Sequence, residues 1–300
     1  MSITYDYIIV GAGSAGCVLA NRLSEDPKNS VLLIEAGGSD KRMWIEMPLG
    51  YAFTFTDKRV NWNFTASPDA GLNGRMAYWP RGRVLGGSSS INAMAYYRGL
   101  PHDFDDWDAA GATGWNWENV RRVYDRIETN REFDDDGKRV RRGNGPLFVS
   151  DLRKRMHPFS EVCLKAGREF GWVTKPDGNQ GPREGIGYVR SNVRRGKRWS
   201  AAVAFLNPAR RRANLTIQKF CVVDRVVIDG ARATCVAGRV DGKEQVFCAR
   251  AVVIVSAGAI GSPAILQRSG VGAPEHLQAL GIPVRRELAA VGQGLQDHLA

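Results

Sequence analysis

The sequence predicts an α/β fold, with a parallel sheet that starts at the N-terminus and an antiparallel part inserted later in the chain. Three apolar runs carry this prediction: YIIV at residues 7–10, VLLI at residues 31–34 and AVVIV at residues 251–255. Runs that are apolar throughout, without alternation, are typical of parallel strands covered on both faces. The first run leads into a glycine-rich turn and a helix, which is how a βαβ unit begins.

The turn after the first run reads GAGSAG and matches the pattern G-x-G-x-x-G. In this fingerprint Gly11 forms the tight turn, Gly13 lets the backbone approach a pyrophosphate, and Gly16 lets the helix pack closely against the strand. Ser14 and Ala15 begin the helix, where backbone N–H groups and the helix dipole attract phosphate oxygens. The turn therefore predicts a dinucleotide site.

An acidic residue follows the second apolar run. Glu35 stands nineteen residues after Gly16 and is followed by Ala36. At the end of the second strand of such a fold, a carboxylate accepts hydrogen bonds from the adenosine ribose hydroxyls and repels a 2′-phosphate. Strand, turn, helix, strand and acid in register predict a Rossmann-like fold rather than a glycine-rich turn of no special purpose.

The middle of the chain predicts a connector and then helices and strands. Residues 41–80 are rich in aromatic and turn residues, which predicts an extended lid or connector. Apolar side chains recur at helical spacing over residues 115–133 and 157–172, which predicts two amphipathic helices. Between them, residues 134–144 are charged and predict a surface loop, whereas PLFVSD at residues 146–151 predicts a strand.

The last third of the chain predicts antiparallel strands before a return to the parallel sheet. Residues 214–227 and 239–248 have the composition of antiparallel strands, with Asp-Gly turns at residues 229–230 and 241–242. Residues 251–255 then predict a buried parallel strand that brings the chain back to the first sheet.

Three longer blocks narrow the class of dinucleotide protein. They read GRVLGGSSSIN at residues 82–92, SAGAIGSPAILQRSGVG at residues 256–272 and VGQGLQDH at residues 291–298. With these blocks in this order, the sequence resembles the glucose–methanol–choline (GMC) oxidoreductase family, and within it the choline dehydrogenase and alcohol dehydrogenase branch. The first two blocks are similar to the two signatures of the family, and the resemblance covers essentially all 300 residues.

The resemblance implies FAD as the cofactor and a GMC-type FAD-binding fold. By it, Gly86, Gly87 and Ser88 lie along the flavin and its pyrophosphate, where a run of small residues lets backbone approach a flat ring system. Arg83 would lie near the phosphates. An NAD-dependent dehydrogenase, a third candidate, would have no use for this run.

The resemblance also implies contacts further along the chain. Asn92, Ala93 and Met94 would lie beside the reactive edge of the flavin ring. Some members of the family carry a histidine just before this asparagine and bind the flavin covalently, but here the position is Ile91, so noncovalent FAD is expected. Val223 matches a position whose backbone meets the adenine, although its interpretation as a buried strand residue is nearly as good.

The returning strand ends in Ser256, Ala257 and Gly258. In the wider class of FAD folds, a strand that ends in a small residue and glycine packs beside the cofactor. Domains that bind only NAD rarely combine a long antiparallel insertion with such a strand. The expected organisation is a discontinuous FAD-binding domain of residues 1–150 and 215–300, interrupted at residues 151–214 by the start of a substrate domain with a partial antiparallel sheet.

The implied reaction is oxidation of a primary alcohol, choline-like or aliphatic, to an aldehyde by hydride transfer to flavin N5, while a base takes the hydroxyl proton. The family supplies that base from segments beyond residue 300, so the catalytic residue stays unassigned and the chain is expected to be a fragment. No histidine matches the catalytic motifs; the four are His102, His157, His276 and His298. The electron acceptor would be a quinone or oxygen. An alcohol oxidase and a non-catalytic FAD-binding fragment remain alternatives.

Composition limits the partners. The net charge is +11, but the basic clusters lack a recognisable nucleic-acid module, so a solvated basic surface is favoured over nucleic-acid binding. Weak attraction to anionic lipid remains an alternative. The sequence shows neither a signal peptide nor a membrane-spanning run. Its five scattered cysteines argue against a zinc site or a disulfide framework and fit a reducing compartment, so the cytoplasm is expected.

Overall fold

The computed structural model describes residues 3–133, 139–175, 177–179 and 184–296. They form two compact units, one of Met1–Ile91 with Ala201–Ala300 and one of Asn92–Ser200. The expected domain boundaries, after residues 150 and 214, lie later in the chain than these divisions. The difference arises because strands on both sides of residue 150 pair within one sheet of the second unit.

The first unit is built on a six-stranded sheet. Its strands are β1 (Ile3–Val10), β2 (Val31–Ile34), β3 (Leu215–Gln218), β4 (Cys221–Asp229), β5 (Arg232–Val240) and β6 (Lys243–Val255). Their order is β3-β2-β1-β6-β5-β4, with β1 parallel to both β2 and β6, and β3 parallel to β2. The last two strands are antiparallel. The predicted α/β fold with a parallel sheet is confirmed.

The core of the first unit follows from the register of the parallel strands. Ile8 pairs with Leu32 of β2 and with Val253 of β6, which places their side chains on one face. That face packs with Phe247 and with Ile265 of the helix Gly258–Arg268. Burial of each such side chain stabilises the fold by about 1.5–3 kcal/mol.

The segment 214–227 differs in part from the prediction. Its beginning, β3, is parallel to β2 and not antiparallel. The Asn214 amide donates hydrogen bonds to the carbonyls of Ser24, Asp26 and Asn29, which hold the chain alongside the start of β2. From β4 onward the strands are antiparallel as predicted.

The two predicted Asp-Gly turns are confirmed, since β4, β5 and β6 follow one another through them. At the second turn Asp241 and Gly242 have φ of 50° and 78°, as a two-residue type I′ hairpin requires. The end of β6 is parallel to β1 as predicted. The expected burial is incomplete, because the side chain of Val252 is 46% exposed.

Two adjacent strands carry a disulfide that the sequence analysis did not expect. Cys235 of β5 and Cys248 of β6 lie directly opposite each other and are bonded, with their Cα atoms 3.9 Å apart. The expectation that the cysteines form no disulfide framework did not anticipate this one bridge, because strand register, and not C-x-x-C spacing, brings the two thiols together. The bridge also removes the support that the cysteines gave to a reducing compartment.

The remaining elements of the first unit are short, apart from two helices. The first helix spans Ser14–Leu23 and the last long one Gly258–Arg268. The predicted connector at residues 41–80 contains only short pieces. The short elements are Met43–Glu46, Pro48–Gly50, Tyr51–Thr54, Phe64–Thr65, Ala70–Leu72, Tyr78–Trp79, Gly87–Ser90, Ala202–Leu206, Asn207–Ala209, Val271–Gly272, Pro274–Ala279 and Arg286–Glu287.

In its described residues, the second unit has a five-stranded sheet and three helices of nine residues or more. In sheet order the strands are Ala95–Tyr96, Arg190–Ser191, Leu147–Asp151, Glu128–Phe133 and Arg139–Arg142. The helices are Pro101–Ala109, Trp117–Ile127 and Phe159–Glu169. Short pieces complete it at Arg153–Arg155, Thr174–Lys175, Ile186–Gly187, Val193–Arg194 and Lys197–Arg198.

The helix predicted over residues 115–133 ends at Ile127. From Glu128 the backbone is extended and pairs in parallel with Leu147–Asp151, which the helical periodicity of the sequence did not reveal. The buried Glu128 carboxylate also accepts hydrogen bonds from the Arg98 guanidinium at 2.6 and 3.0 Å. Within the predicted loop 134–144, residues 139–142 form a strand, and residues 134–138 lie outside the described residues.

Across the described ranges, none of the helices combines the length and the apolar character that crossing a bilayer requires.

Candidate functional site

The turn between β1 and the first helix gives its three glycines different roles. Gly11 has φ of +99° and donates its N–H to the Ile34 carbonyl at 2.8 Å. A Cβ atom on Gly16 would lie 1.9 Å from the Gly11 carbonyl oxygen, so the close approach of helix to strand requires glycine there. Among the described residues, no atom would lie within 4 Å of a Cβ atom on Gly13. The fold therefore does not itself require glycine at position 13.

Among the described residues, no side chain caps the start of the first helix. Gly13 is its N-cap residue, and its first turn holds no acidic residue. Ser14 and Ala15 in that turn are exposed. Backbone N–H groups at such an uncapped terminus are available to an anionic ligand.

Glu35 ties this turn to the end of β2. Its Oε2 accepts the Ala12 N–H at 2.9 Å, and its Oε1 accepts the Gly37 N–H at 2.8 Å. Burial raises the pKa of this carboxyl to about 7. Each carboxylate oxygen can accept a second hydrogen bond, so the group keeps acceptor capacity for hydroxyl donors. The half-buried Ala36 follows directly.

The buried carboxyl predicts a pH dependence of the free energy of unfolding. The pKa of Glu35 is about 7 when folded, against an ordinary value of 4.5. The folded state therefore holds this proton more tightly than the unfolded state. The resulting stabilisation is complete below pH 4.5 and is lost as pH rises through about 7, so the free energy of unfolding falls by about 3 kcal/mol between these two pH values. We expect urea titrations of ligand-free protein to show this loss relative to Glu35→Gln, whose amide does not titrate.

Glu25→Gln is the matched control, because Glu25 is half-exposed and pairs only with Arg22 on the surface in the described part of the chain. The free energy of unfolding of Glu25→Gln should differ little from that of the unmodified protein across the same pH range. If the free energies of unfolding of Glu35→Gln and the unmodified protein differ by the same amount at both ends of the range, the pKa of Glu35 is not raised.

A second glycine turn packs against the first. The Gly86 N–H donates to the Ala12 carbonyl at 2.7 Å, and a Cβ atom on Gly87 would lie 2.7 Å from the Gly13 Cα. Gly86 and Gly87 have φ of +89° and +53°, the left-handed region that favours glycine. Ser88 is exposed and accepts the Gly82 N–H through its hydroxyl at 3.1 Å. The structure thus brings together residues that are 74 positions apart in the chain.

Arg83 holds an unsatisfied donor near this point. Its guanidinium lies 4.9 Å from the centre of the Trp62 ring, and its positive charge acts to lower the pKa of Glu35. The buried Nε of Arg83 has no hydrogen-bond partner among the described residues. Leaving such a donor unsatisfied costs about 1–3 kcal/mol, so the position fits an anionic ligand group.

The end of β6 supports the first turn from the other side. The Ser256 hydroxyl donates to the Gly11 carbonyl at 2.9 Å, and the Ser256 N–H donates to the Val10 carbonyl at 2.8 Å. Ala257 caps the helix Gly258–Arg268 without a side-chain hydrogen bond. Gly258 is exposed, has φ of +82° and faces open space.

Val223 lies in β4 with its side chain in the core. The strand starts beside the candidate site, since the Cys221 N–H donates to the Glu35 carbonyl at 3.0 Å. The side chain therefore fits the interpretation as a buried strand residue. A role toward the cofactor would use the backbone and stays a prediction.

Asn92, Ala93 and Met94 open the second unit, in which a buried arginine holds them. Arg198 is only 3% exposed and donates to both the backbone oxygen and the Oδ1 of Asn92, at 2.7 and 2.9 Å. The same Oδ1 accepts the Met94 N–H at 3.1 Å, and Met94 has φ of +61°. Burial lowers the pKa of Arg198 to about 10, so it remains a cation at neutral pH.

Sequence reasoning missed Gly37, Gly82 and Arg198. A Cβ atom on Gly37 would lie 1.8 Å from the Arg83 carbonyl oxygen, and one on Gly82 would lie 2.2 Å from the Gly87 carbonyl carbon. The Gly37-Gly38 pair so soon after Glu35 was a usable signal. Arg198 gave none, because it meets a residue 106 positions away.

The class of dinucleotide-binding α/β proteins has a parallel sheet, a glycine-rich turn between the first strand and the first helix, and a carboxylate after the second strand. The first unit has these three features. Within that class, the chain belongs to the GMC oxidoreductase family, whose family model matches residues 5–300. The resemblance inferred from the sequence is confirmed.

Individual relatives agree. The chain is 43% identical over 296 residues to an oxygen-dependent choline dehydrogenase of Vibrio vulnificus, covering 98% of this chain and 52% of that protein. It is 42% identical to an alcohol dehydrogenase [acceptor] of Pseudomonas putida, covering 98% and 53%. Pyridoxine 4-oxidase from Mesorbium loti has a TM-score of 0.88 at 34% identity, covering 94% of this chain and 55% of that one. The chain thus spans about half the length of these relatives.

Proposed function

We propose that the first unit binds FAD and that the chain is part of an FAD-dependent dehydrogenase that oxidises a primary alcohol, choline-like or aliphatic, to an aldehyde. The observation that carries the proposal is the free space at Gly13, beside an uncapped helix and the Glu35 carboxylate. The names of the relatives, choline dehydrogenase and alcohol dehydrogenase [acceptor], support the reaction class.

The residues of the first unit fit the parts of FAD. Glu35 would accept the ribose hydroxyls, with Ala36 and the backbone of Val223 toward the adenosine. The N–H groups at the start of the first helix would bind the pyrophosphate, and the unsatisfied Arg83 Nε would donate to a phosphate oxygen. Further contacts are proposed for Gly11, Gly13, Ser14, Ala15, Gly16, Gly86, Gly87, Ser88, Ser256, Ala257 and Gly258.

Residues 92–94, which Arg198 holds within the second unit, are assigned to the flavin by the family resemblance alone. When bound, FAD supplies the acceptor for a hydride from the alcohol carbon. By the family resemblance, Asn92, Ala93 and Met94 would lie at the reactive edge of the flavin, and Arg198 donates hydrogen bonds to the first of them. No residue is proposed as the base.

The electron acceptor, a quinone or oxygen, is also open. An alcohol oxidase is the second candidate function, because pyridoxine 4-oxidase and formate oxidase are structural neighbours.

We propose that the flavin is bound noncovalently. The position before Asn92 is Ile91, which is buried with Ile45, Val60 and Val84 and has no nucleophilic atom. The cytoplasmic location, the absence of nucleic-acid binding and any weak contact with anionic lipid stay predictions.

Purified protein tests the proposal in two steps. We expect the visible absorption of oxidised flavin, and we expect acid precipitation to leave the yellow colour in the supernatant, because Ile91 cannot bond to the ring. Colour in the pellet would contradict noncovalent binding. A preparation that cannot be loaded with FAD would overturn the proposal for the site.

Turnover is tested separately, on the natural full-length protein loaded with FAD. Choline and simple primary alcohols should reduce an artificial electron-acceptor dye. Loading without reduction by any alcohol would favour the alternative of an FAD-binding module without catalysis. Dye-independent consumption of oxygen would favour the oxidase.

A further inference from the structure

Phe220 is an exposed aromatic residue with an unfavourable backbone conformation. It lies between β3 and β4, its φ is +56°, and the residue is 58% exposed. Among the described residues with a positive φ other than glycine, it is the one aromatic residue. A left-handed backbone is costly for a bulky side chain and persists only where the surrounding structure fixes it, which often happens at ligand sites. The conformation of Phe220 therefore indicates a function for its ring.

Backbone hydrogen bonds fix Phe220 beside the Glu35 carboxylate. The Phe220 N–H donates to the Gly37 carbonyl at 3.1 Å. The next N–H along the chain, that of Cys221, donates to the Glu35 carbonyl at 3.0 Å. The Gly37 N–H in turn donates to Oε1 of Glu35 at 2.8 Å. A single residue, Gly37, thus links the backbone that carries the ring to the carboxylate that is proposed to bind the ribose.

The ring of Phe220 packs against a glycine and is otherwise accessible. A Cβ atom on Gly38 would lie 2.7 Å from the Phe220 Cζ, so the distal end of the ring occupies the place of a side chain at position 38. Nearby, the Trp62 ring already has the Arg83 guanidinium 4.9 Å from its centre and the Phe64 ring stacked at 5.7 Å. The Phe220 ring has no such cation or ring partner among the described residues. It is therefore available to a flat ligand group.

The flat group that belongs beside a ribose is the base. In adenosine the base is bonded to the sugar carbon next to the one that bears the 2′-hydroxyl, so hydroxyls bound to Glu35 bring the base to the residues around this carboxylate. We propose that the Phe220 ring stacks on the adenine of the dinucleotide. This inference rests on the FAD site proposed above and adds to it the residue that recognises the base. Stacking needs only a flat π face on each partner, which both groups have.

The experiment compares two ligands on the natural full-length protein, prepared free of flavin. ADP carries the base, whereas ribose 5-phosphate lacks it, and competition titration gives both dissociation constants. Phe220→Gly removes the ring and places at this position the residue that adopts a positive φ without strain, so the protein should stay folded. We expect it to raise the dissociation constant of ADP about 10-fold, the effect of losing one base–aromatic stack, and to leave that of ribose 5-phosphate unchanged. Phe220→Tyr, which keeps the ring, should bind ADP as the unmodified protein does.

Asp241→Gly is the matched control, because Asp241 also has a positive φ, of 50°, and lies in the turn between β5 and β6. It should leave both dissociation constants unchanged. If Phe220→Gly binds ADP as tightly as the unmodified protein, the ring does not stack on the base and the inference is wrong. Equal losses for ADP and ribose 5-phosphate would also overturn it, since the ring would then act only on the backbone around Glu35. If the unmodified protein binds neither ADP nor FAD, the proposed FAD site itself fails, and this inference fails with it.

Discussion

Gly13→Val is expected to weaken FAD binding at least about 100-fold while the protein stays folded. In the part of the chain that the structure describes, no atom lies within 4 Å of a Cβ atom at this position, so the side chain has room in the ligand-free protein. The same space is the one proposed for the pyrophosphate, whose charge-assisted hydrogen bonds to the helix terminus would be lost. The loss of about 3 kcal/mol of binding free energy corresponds to this factor. Flavin fluorescence titration of the ligand-free protein measures it.

Stability is the control for this variant. Gly13 is the N-cap of the first helix without a side-chain cap, so replacing glycine by valine costs about 1 kcal/mol of unfolding free energy or less. Unchanged FAD affinity in a folded Gly13→Val protein would show that the pyrophosphate binds elsewhere. Such a result would overturn the assignment of the first turn and with it the proposed roles of Ser14 and Ala15.

Gly16→Ala is expected to destabilise the fold itself, by about 3 kcal/mol or more. The added Cβ atom would lie 1.9 Å from the Gly11 carbonyl oxygen, which is backbone and cannot rotate away. Relief requires the first helix to move off β1, which opens the packing of the buried Cys17 and Ala20. Overpacking usually costs about 1–3 kcal/mol, and a clash between two backbone segments lies at the upper end. The free energy of unfolding from urea titration gives the value.

Gly13→Ala is the matched control, because it adds the same atom three residues earlier in the same turn, where space is free. It should cost no more than about 1 kcal/mol. If Gly16→Ala is as stable as Gly13→Ala, the turn relaxes more easily than its contacts indicate, and the close helix–strand approach is not required by the fold. Substitutions at Gly16 therefore test the stability of the fold, whereas substitutions at Gly13 test the affinity for FAD.

Much of the first unit was predictable because its signals are local. β2 begins and ends where the apolar run does, and the first helix starts within the glycine turn. Asp241-Gly242 adopts the left-handed backbone that the dipeptide favours. The connector at residues 41–80 is irregular as its composition indicated. In each case a few neighbouring residues determine the conformation, because the cause is a dihedral preference or a hydrophobic period.

Candidate site residues were predictable to the extent that a motif carries them. Glu35 and Gly13 follow from the spacing of the fingerprint, and Arg83 and Gly86 from the resemblance to the family. The disulfide between Cys235 and Cys248 was not predictable, since it depends on the register of two strands. Arg198 was equally hidden, because it reaches its partner Asn92 from a separate hairpin.

The sequence by itself determined the α/β class, the first βα turn, its acidic partner and the membership of a family of oxidoreductases. Only the tertiary structure decided that the helix beginning at Trp117 ends at Ile127, that β3 runs parallel to β2, and that the turns at Gly13 and Gly87 are in contact. The physical reason is that these outcomes depend on pairing between segments far apart in the chain. Local propensity cannot specify such partners, because each segment satisfies its backbone hydrogen bonds and buries its side chains only when the distant segment is in place.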